Sequence, residues 1–371
     1  MQIDDSIVLK MPPVISGGFL NEILDHGVNL GASDFHLMSS SPIKLDLKGR
    51  ITQVTLRALQ HNELMSLAKE IYEGDGVDTE LFSAKAVDRA ISVQLTKGRI
   101  RFRVNMVACQ VKGRFGIQIT LRTIDERPMT VEQLGVEQHI YEASFPSQGI
   151  VFITGPTGSG KSTLLSAMIN SFAQQPNANK KIITLEAPIE YTYDHINNPS
   201  VVIAQTEIPT NQVNFEQGIE AALRRKPDII LVGEMRDRET IDAAFMASQT
   251  GHLVLATLHT NGVGASFRRL LTYYPQDERE EKMAALIDST RLIVTQRLEL
   301  TNDGGRKPLK EYLVFDKEVK DRLEDTDFKG VAGVLNEIVN ERGTSMLHAA
   351  IKLRDQGLIT DNQVKDVESS F

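Results

Sequence analysis

At 371 residues the chain is long enough for one to three domains and a proper hydrophobic core, which excludes a disulfide-stapled miniprotein. Hydrophobic residues at 41% and charged residues at 24% are those of a folded globule and exclude a disordered or collagen-like chain. Lys and Arg total 41 against 49 Asp and Glu, a net charge of −8, so the chain as a whole is no generic binder of nucleic acid or anionic membrane, and the single cysteine, Cys109, excludes an internal disulfide or a Cys-based zinc cage.

The opening MQIDDSIVLKMPPVISGG carries acids and lacks the apolar core of a secretory signal, and residues 1–18 read as a loose arm. No run of about 18 apolar residues follows, so a cytoplasmic protein that reaches a membrane only through partners is expected. Phe19 to Leu30 has helical periodicity and ends at Gly31. From Ser33 onward the period shortens to two: residues 42–47 and 51–56 read as strands around Lys48-Gly49-Arg50, and 61–74 returns to helical spacing.

Two further strands are expected between Lys97 and Arg122, where Ile100, Phe102, Val104 and Met106 alternate with Arg99, Arg101, Arg103 and Asn105. This window holds seven basic residues, among them Lys112, Arg114 and Arg122, and no acid. Such an imbalance fits either a solvated sheet face or an anionic partner such as phosphate. The N-terminal part is therefore mixed α+β, spanning 1–124, and the polar stretch 125–134 with Pro128 reads as a linker.

After the linker the texture changes to short apolar strands alternating with helices. Residues 150–154, 182–185, 229–232 and 253–258 read as strands, and 162–172 and 238–250 as helices, the pattern of a parallel α/β sheet over 135–315. Residues 276–296 read as one long helix, 297–301 and 309–315 as a hairpin, and 316–371 as a helical extension.

The strongest chemical signal is Gly155-Pro156-Thr157-Gly158-Ser159-Gly160-Lys161-Ser162 followed by Thr163, a G-x-x-x-x-G-K-[ST] phosphate loop between an apolar strand and a helix. Glycines let successive backbone N–H groups face the phosphates at a helix N-terminus, Lys161 adds a mobile cation and Ser162 a Mg²⁺ ligand, so nucleotide binding is expected. Hydrolysis also needs a group that orients water at the γ-phosphate. Glu234 ends the strand 229–232, where α/β sites lie, and is the leading general base, while Glu186 and Glu190 follow the strand 182–185. His252 and His259 bracket the strand 253–258; two histidines with no third ligand do not make a zinc site, and either could be a structural residue or sense the γ-phosphate.

The segments GPTGSGKST (155–163), EAPIEY (186–191), ILVGEMRD (230–237) and TGHLVLATLHT (250–260) follow one another as in the type II/IV secretion and pilus-retraction ATPases, the PilT group, which this chain resembles. GASDFHL (31–37), RFRVN (101–105) and LRTI (121–124) resemble that family's N-terminal domain, and the nearest branch is the type IVB (Dot/Icm-type) secretion ATPases and their conjugative counterparts. The resemblance implies a PAS-like N-terminal domain, a RecA-like motor domain and a homohexamer that hydrolyses ATP with Mg²⁺ at the cytoplasmic face of the inner membrane, docked on secretion-complex components. Nucleic acid is not an expected partner.

On the same resemblance Glu190 matches the glutamate of the family's Asp box, Glu234 that of Walker B, His252 and His259 the His box, and Arg103 and Arg122 arginines that reach the nucleotide, with Arg101 and Arg114 as substitutes. Two departures stand out: Ala187 replaces the usual aspartate, for which Glu186 can compensate, and Gly233 precedes Glu234. The expected function is a hexameric ATPase powering type IV secretion or conjugation. A pilus-retraction motor and an ATP-gated assembly module with incidental hydrolysis are the alternatives.

Overall fold

The computed structural model describes residues 5–15, 18–124 and 127–370, so Asp125 and Glu126 of the expected linker, parts of the N-terminal arm and Phe371 lie outside the described residues. The chain divides into two compact units. One gathers the residues up to Arg127 together with Ala187–Thr192; the other holds Pro128–Glu186 and the chain from Tyr193 onward.

The first unit is a six-stranded antiparallel sheet with helices. In chain order it contains α1 (Phe19–Leu30), β1 (Ala32–Met38), β2 (Lys44–Leu47), β3 (Arg50–Gln53), α2 (His61–Tyr72), α3 (Val77–Phe82), β4 (Val87–Leu95), β5 (Gly98–Val111) and β6 (Arg114–Ile124). The strand order is β3-β2-β1-β6-β5-β4. α1 ends where Gly31 adopts the left-handed conformation and its N–H bonds back to Val28 O, the C-terminal stop that glycine favours. The apolar stripe of α1 and the alternating residues Phe35, Leu37, Phe102, Val104 and Met106 bury one core. The arm is not loose where it is described: Leu9 N donates to Val54 O at 2.7 Å, Arg57 donates to Pro12 O, and Ile15 is buried. Leu9, Met11 and Ile15 join the core of this unit, a tertiary seat that the local pattern alone does not reveal.

The second unit is a seven-stranded sheet between helices. It runs α4 (Gln138–Ala143), β7 (Gly149–Thr154), α5 (Lys161–Ala173), β8 (Lys180–Glu186), β9 (Val201–Glu207), α6 (Phe215–Leu223), β10 (Ile229–Val232), α7 (Arg238–Gln249), β11 (Leu253–Leu258), α8 (Val263–Leu271), α9 (Arg279–Ser289), β12 (Thr290–Leu300), β13 (Arg306–Val314), α10 (Lys317–Glu324), α11 (Val331–Glu341), α12 (Met346–Asp355) and α13 (Asp361–Ser370). The order β13-β12-β7-β11-β10-β8-β9 is parallel throughout except for β13, which pairs antiparallel at the edge. β7, β10 and β11 are buried at every position, as continuous apolar runs covered on both faces must be. Alternate residues of β7 point into two cores, Ile150 and Phe152 into one and Val151 and Ile153 into the other.

The long helix expected over 276–296 is corrected by the structure. The helix α9 stops at Ser289 and the chain becomes β12 from Thr290, with the Thr290 hydroxyl donating to Leu286 O at 2.7 Å at the junction. The run Leu292-Ile293-Val294-Thr295, β-branched from Ile293 onward, is buried on both faces beside β7, a setting that outweighs the helical spacing of the residues before it. The hairpin strands accordingly start earlier on β12 and on β13 than the sequence suggested. Among the described residues no helix is long and apolar enough to cross a membrane.

Candidate functional site

The site is built where the parallel strands of the second unit end. β7 delivers the chain to Gly155, and α5 begins at Lys161 with Gly160 as its left-handed cap. Gly155 has φ +141°, and a Cβ there would lie 2.2 Å from Gln296 O on β12, so the loop can pass this close to β12 only without a side chain. The Gln296 side chain in turn donates to Ser159 O at 2.7 Å and fixes the far side of the turn. Lys161 is buried and folds back over the loop, its Nζ 2.9 Å from both Gly155 O and Pro156 O. Ser159 Oγ is buried with no hydrogen-bond partner among the described residues, and Ser162 is exposed on the first turn of α5. A cavity of about 560 Å³ opens between this loop, Asn261 and β12.

Glu234 follows β10 by two residues. The intervening Gly233 is pinned by its N–H to Leu185 O at 2.7 Å and by the Thr257 hydroxyl on its carbonyl. A Cβ at 233 would meet Leu185 O at 3.0 Å, so close strand packing accounts for glycine where the sequence showed a departure. The Glu234 carboxylate is largely buried, 2.6 Å from Arg236 Nη2 and 3.7 Å from His259 Nε2. Burial first, and then the Lys161 and Arg236 cations, hold the His259 imidazolium below the ordinary histidine range against the opposing pull of Glu234. His259 is therefore neutral at pH 7 and couples electrostatically to both the phosphate-loop lysine and the acid.

The structure thus brings Lys161, Glu234 and His259 together, and it does not bring His252 to them. β11 pairs with β7 in the register Leu253↔Gly149 and Leu258↔Thr154. His259 therefore stands beside the start of the phosphate loop, and His252 stands at the opposite end of the sheet, about 23 Å away at 3.3 Å per strand residue. There its Nδ1 lies 3.1 Å from Ala247 O, against the last turn of α7.

Glu186, at the end of β8, accepts from the Thr184 hydroxyl at 2.6 Å and from Gln205 Nε2 at 3.2 Å. Ala187–Thr192, which carries Glu190, groups with the first unit. Arg101 is buried there and donates to Glu190 O at 2.9 Å and Ile189 O at 2.7 Å, so it holds the backbone of this segment rather than serving as a free cation. Arg103 and Arg122 are opposite each other in the β5–β6 register, and Asp34 is opposite Arg122 on β1. Two like charges side by side need counterions. Arg122 has Asp34 at 2.7 Å and Arg103 has Glu190 at 3.7 Å. Arg114 is exposed at the start of β6, next to the β5–β6 turn and away from this row.

Sequence reasoning did not single out Arg236, Gln296 or Thr257. Arg236 lies inside the ILVGEMRD segment, two residues beyond the acid it pairs with. Gln296 was hidden by the helical reading of its strand.

The chain matches the family described as "Type II/IV secretion system protein" over residues 13–358. It is 32% identical over 307 residues to the type IV pilus retraction ATPase PilT of Pseudomonas aeruginosa, covering 82% of this chain and 85% of that protein. Among solved structures it is similar to the Legionella pneumophila ATPase DotB, with a TM-score of 0.92, 40% identity and 98% of each chain covered. It is also similar to the pilus retraction motor PilT with bound ADP, with a TM-score of 0.80, 30% identity and coverage of 94% of this chain and 96% of that one.

Proposed function

Because the chain belongs to the type II/IV secretion ATPase family, we propose that this ATPase works as a homohexamer that powers a type IVB secretion or conjugation machine at the cytoplasmic face of the inner membrane. The likeness to DotB across 98% of the chain supports this branch over the pilus-retraction alternative. In this reading 1–124 is a PAS-like domain, 125–134 a linker, 135–315 a RecA-like motor domain and 316–371 a helical extension. Secretion-complex components provide the membrane attachment.

The observation that carries the proposal is the convergence of Lys161, Glu234 and His259 at one end of the parallel sheet. Gly155, Thr157, Gly158, Ser159 and Gly160 form the cradle for the phosphates, and Lys161 exchanges its two loop carbonyls for phosphate oxygens. Ser162 and Thr163, hard oxygen donors at the first turn of α5, fit Mg²⁺, with Ser162 as its protein ligand. When bound, Mg²⁺ neutralises charge on the phosphates. Glu234, held by Arg236, orients the attacking water and accepts its proton, and neutral His259 links that acid to the phosphate end of the loop. Glu190 assists, and Arg103 and Arg122 are arginine fingers whose resting counterions are Glu190 and Asp34.

The test is light-scattering mass together with phosphate release, with and without Mg·ATP, on wild type, Lys161→Ala and Glu234→Gln. A hexamer whose Mg²⁺-dependent hydrolysis falls by about 10² to 10⁴ in Glu234→Gln, with nucleotide binding retained, is the expected result. Undiminished hydrolysis in that variant sinks the role of Glu234. A nucleotide-dependent hexamer with almost no turnover in wild type shifts the function to a gated assembly module.

A further inference from the structure

One buried carboxylate in the second unit takes no part in the chemistry above. Glu311 on β13 is 5% exposed, and both of its oxygens accept backbone N–H groups at helix starts. Val263 N, the first residue of α8, donates to Oε1 at 2.7 Å, and Met346 N, the first residue of α12, donates to Oε2 at 3.1 Å. A carboxylate is the side chain that satisfies two such orphan donors and complements both helix dipoles at once. α8 begins four residues after His259, so Glu311 grips the end of the His259–Gly262 loop. α12 belongs to the C-terminal helices.

Three features make this a connection rather than an isolated cap. The sheet register sets Glu311 opposite Thr295, Thr295 opposite Thr154 and Thr154 opposite Leu258, one row across four strands that ends beside His259. Along the same end of the sheet runs a chain of hydroxyls. Thr260 Oγ1 is 2.6 Å from Ser266 Oγ, which donates to Thr154 Oγ1 at 3.1 Å, and Thr154 Oγ1 is 2.7 Å from Thr295 Oγ1. Finally, α8 is held along its length by α11: a Cβ at Gly264 would lie 2.5 Å from Ala332 O, so the two helices meet backbone to backbone.

We propose that Glu311 is a positioning residue that locks the His259–Gly262 loop to the C-terminal helices, so that the seating of those helices sets the catalytic competence of His259. The proposal rests on the reading of His259 as part of the hydrolytic site. Glu311 acts through the start of α8. A partner that displaces α12 breaks one of the two bonds on the carboxylate and loosens the loop at the other.

The test uses the full chain with Glu311→Gln, Met346→Pro and Met346→Ala, followed by steady-state hydrolysis and amide hydrogen exchange. Glutamine keeps the shape but brings one oxygen and an NH₂ to two N–H donors, so one bond is lost. Glu311→Gln is expected to lower kcat about 10- to 100-fold, as a displaced catalytic group does, with KM for Mg·ATP changed less than about threefold. Exchange rises over 260–264 and 345–348 while β7 and β11 stay protected. Proline is tolerated at the first helical position, so Met346→Pro removes the N–H alone beyond what Met346→Ala removes, and it falls at least about fivefold below Met346→Ala in kcat. Wild-type exchange at 260–264 in Glu311→Gln, or equal kcat for the two Met346 variants, overturns the proposal. His259→Gln separates the two readings: wild-type turnover there refutes the role of His259, while the exchange at 260–264 still decides the tie to Glu311.

Discussion

Replacing Gly155 by alanine tests how tightly the phosphate loop is wedged against β12. Of the three loop glycines with positive φ, two sit in very different surroundings: Gly158, at +77°, would place a Cβ with nothing within 4 Å, whereas Gly155, at +141°, would place one 2.2 Å from Gln296 O and 2.6 Å from Ser159 Oγ. Gly158→Ala therefore costs only backbone strain, about 1–2 kcal/mol. Gly155→Ala carries strain of about 1–3 kcal/mol. Its Cβ also lies far inside the 3.4 Å at which ordinary contact begins, against a strand backbone that cannot rotate away. Overpacking adds about 1–3 kcal/mol, and breaking the Gln296–Ser159 bond adds about 0.5–1.5 kcal/mol. At the middle of these ranges the two variants differ by about 3.5 kcal/mol, or roughly 7–14 °C in Tm for a unit of this size. Differential scanning calorimetry of the two variants reads this directly, and a parallel titration with Mg·ATP shows weakened binding in Gly155→Ala. Equal Tm values for the two alanines refute the argument that contact with β12, rather than loop conformation alone, requires glycine at 155.

His259 titrates below the ordinary histidine range because of burial and the nearby Lys161, so turnover is expected to hold down through pH 6.5 and to fall only below it, as a charged imidazole forms beside Lys161 and Arg236; a wild-type acidic limb centred at or above 6.5 contradicts this assignment. The stability link has the same sign: the unfolded chain takes up a proton on His259 near pH 6.5 that the folded chain refuses, so folding loses stability as pH falls through 6.5, and His259→Gln flattens that dependence in a denaturant series. Arg101→Met strands the Ile189 and Glu190 carbonyls and removes charge-assisted bonds at a buried position, which costs about 2–4 kcal/mol in thermal denaturation; a Tm within error of wild type removes the clamp role.

The elements that carry the phosphate loop and Glu234 were legible because their signals are local. β7, β10 and β11 are unbroken apolar runs, and a glycine-rich turn between a strand and a helix has one chemical use that fits a lysine and a serine on the first turn. β12 was illegible for the opposite reason. Helix α9 runs into it without an intervening turn, so its period was averaged with that of the helix, and the deciding fact, a seat beside β7, is not a property of the segment. The two histidines show the limit most plainly. Six intervening strand residues look like closeness on paper and are the full depth of the sheet in space.

The arginines of the acid-free window divide along the same line. Alternation on β5 separates Arg101 and Arg103 from their apolar neighbours but cannot separate them from each other. Only tertiary contact shows that Arg101 is spent on backbone carbonyls, while Arg103 shares a row with Arg122 and their two acids. Position along one strand tells which residues can do chemistry; position across strands tells which are already committed. The same distinction explains Glu311, which in sequence is one acid in an edge strand and in the sheet is the end of a row leading to His259. The departure at Gly233 falls on the same side. A Cβ at Gly233 would come within 3.0 Å of the Leu185 carbonyl across the β8–β10 pairing, a constraint set by the neighbouring strand and invisible in the segment itself.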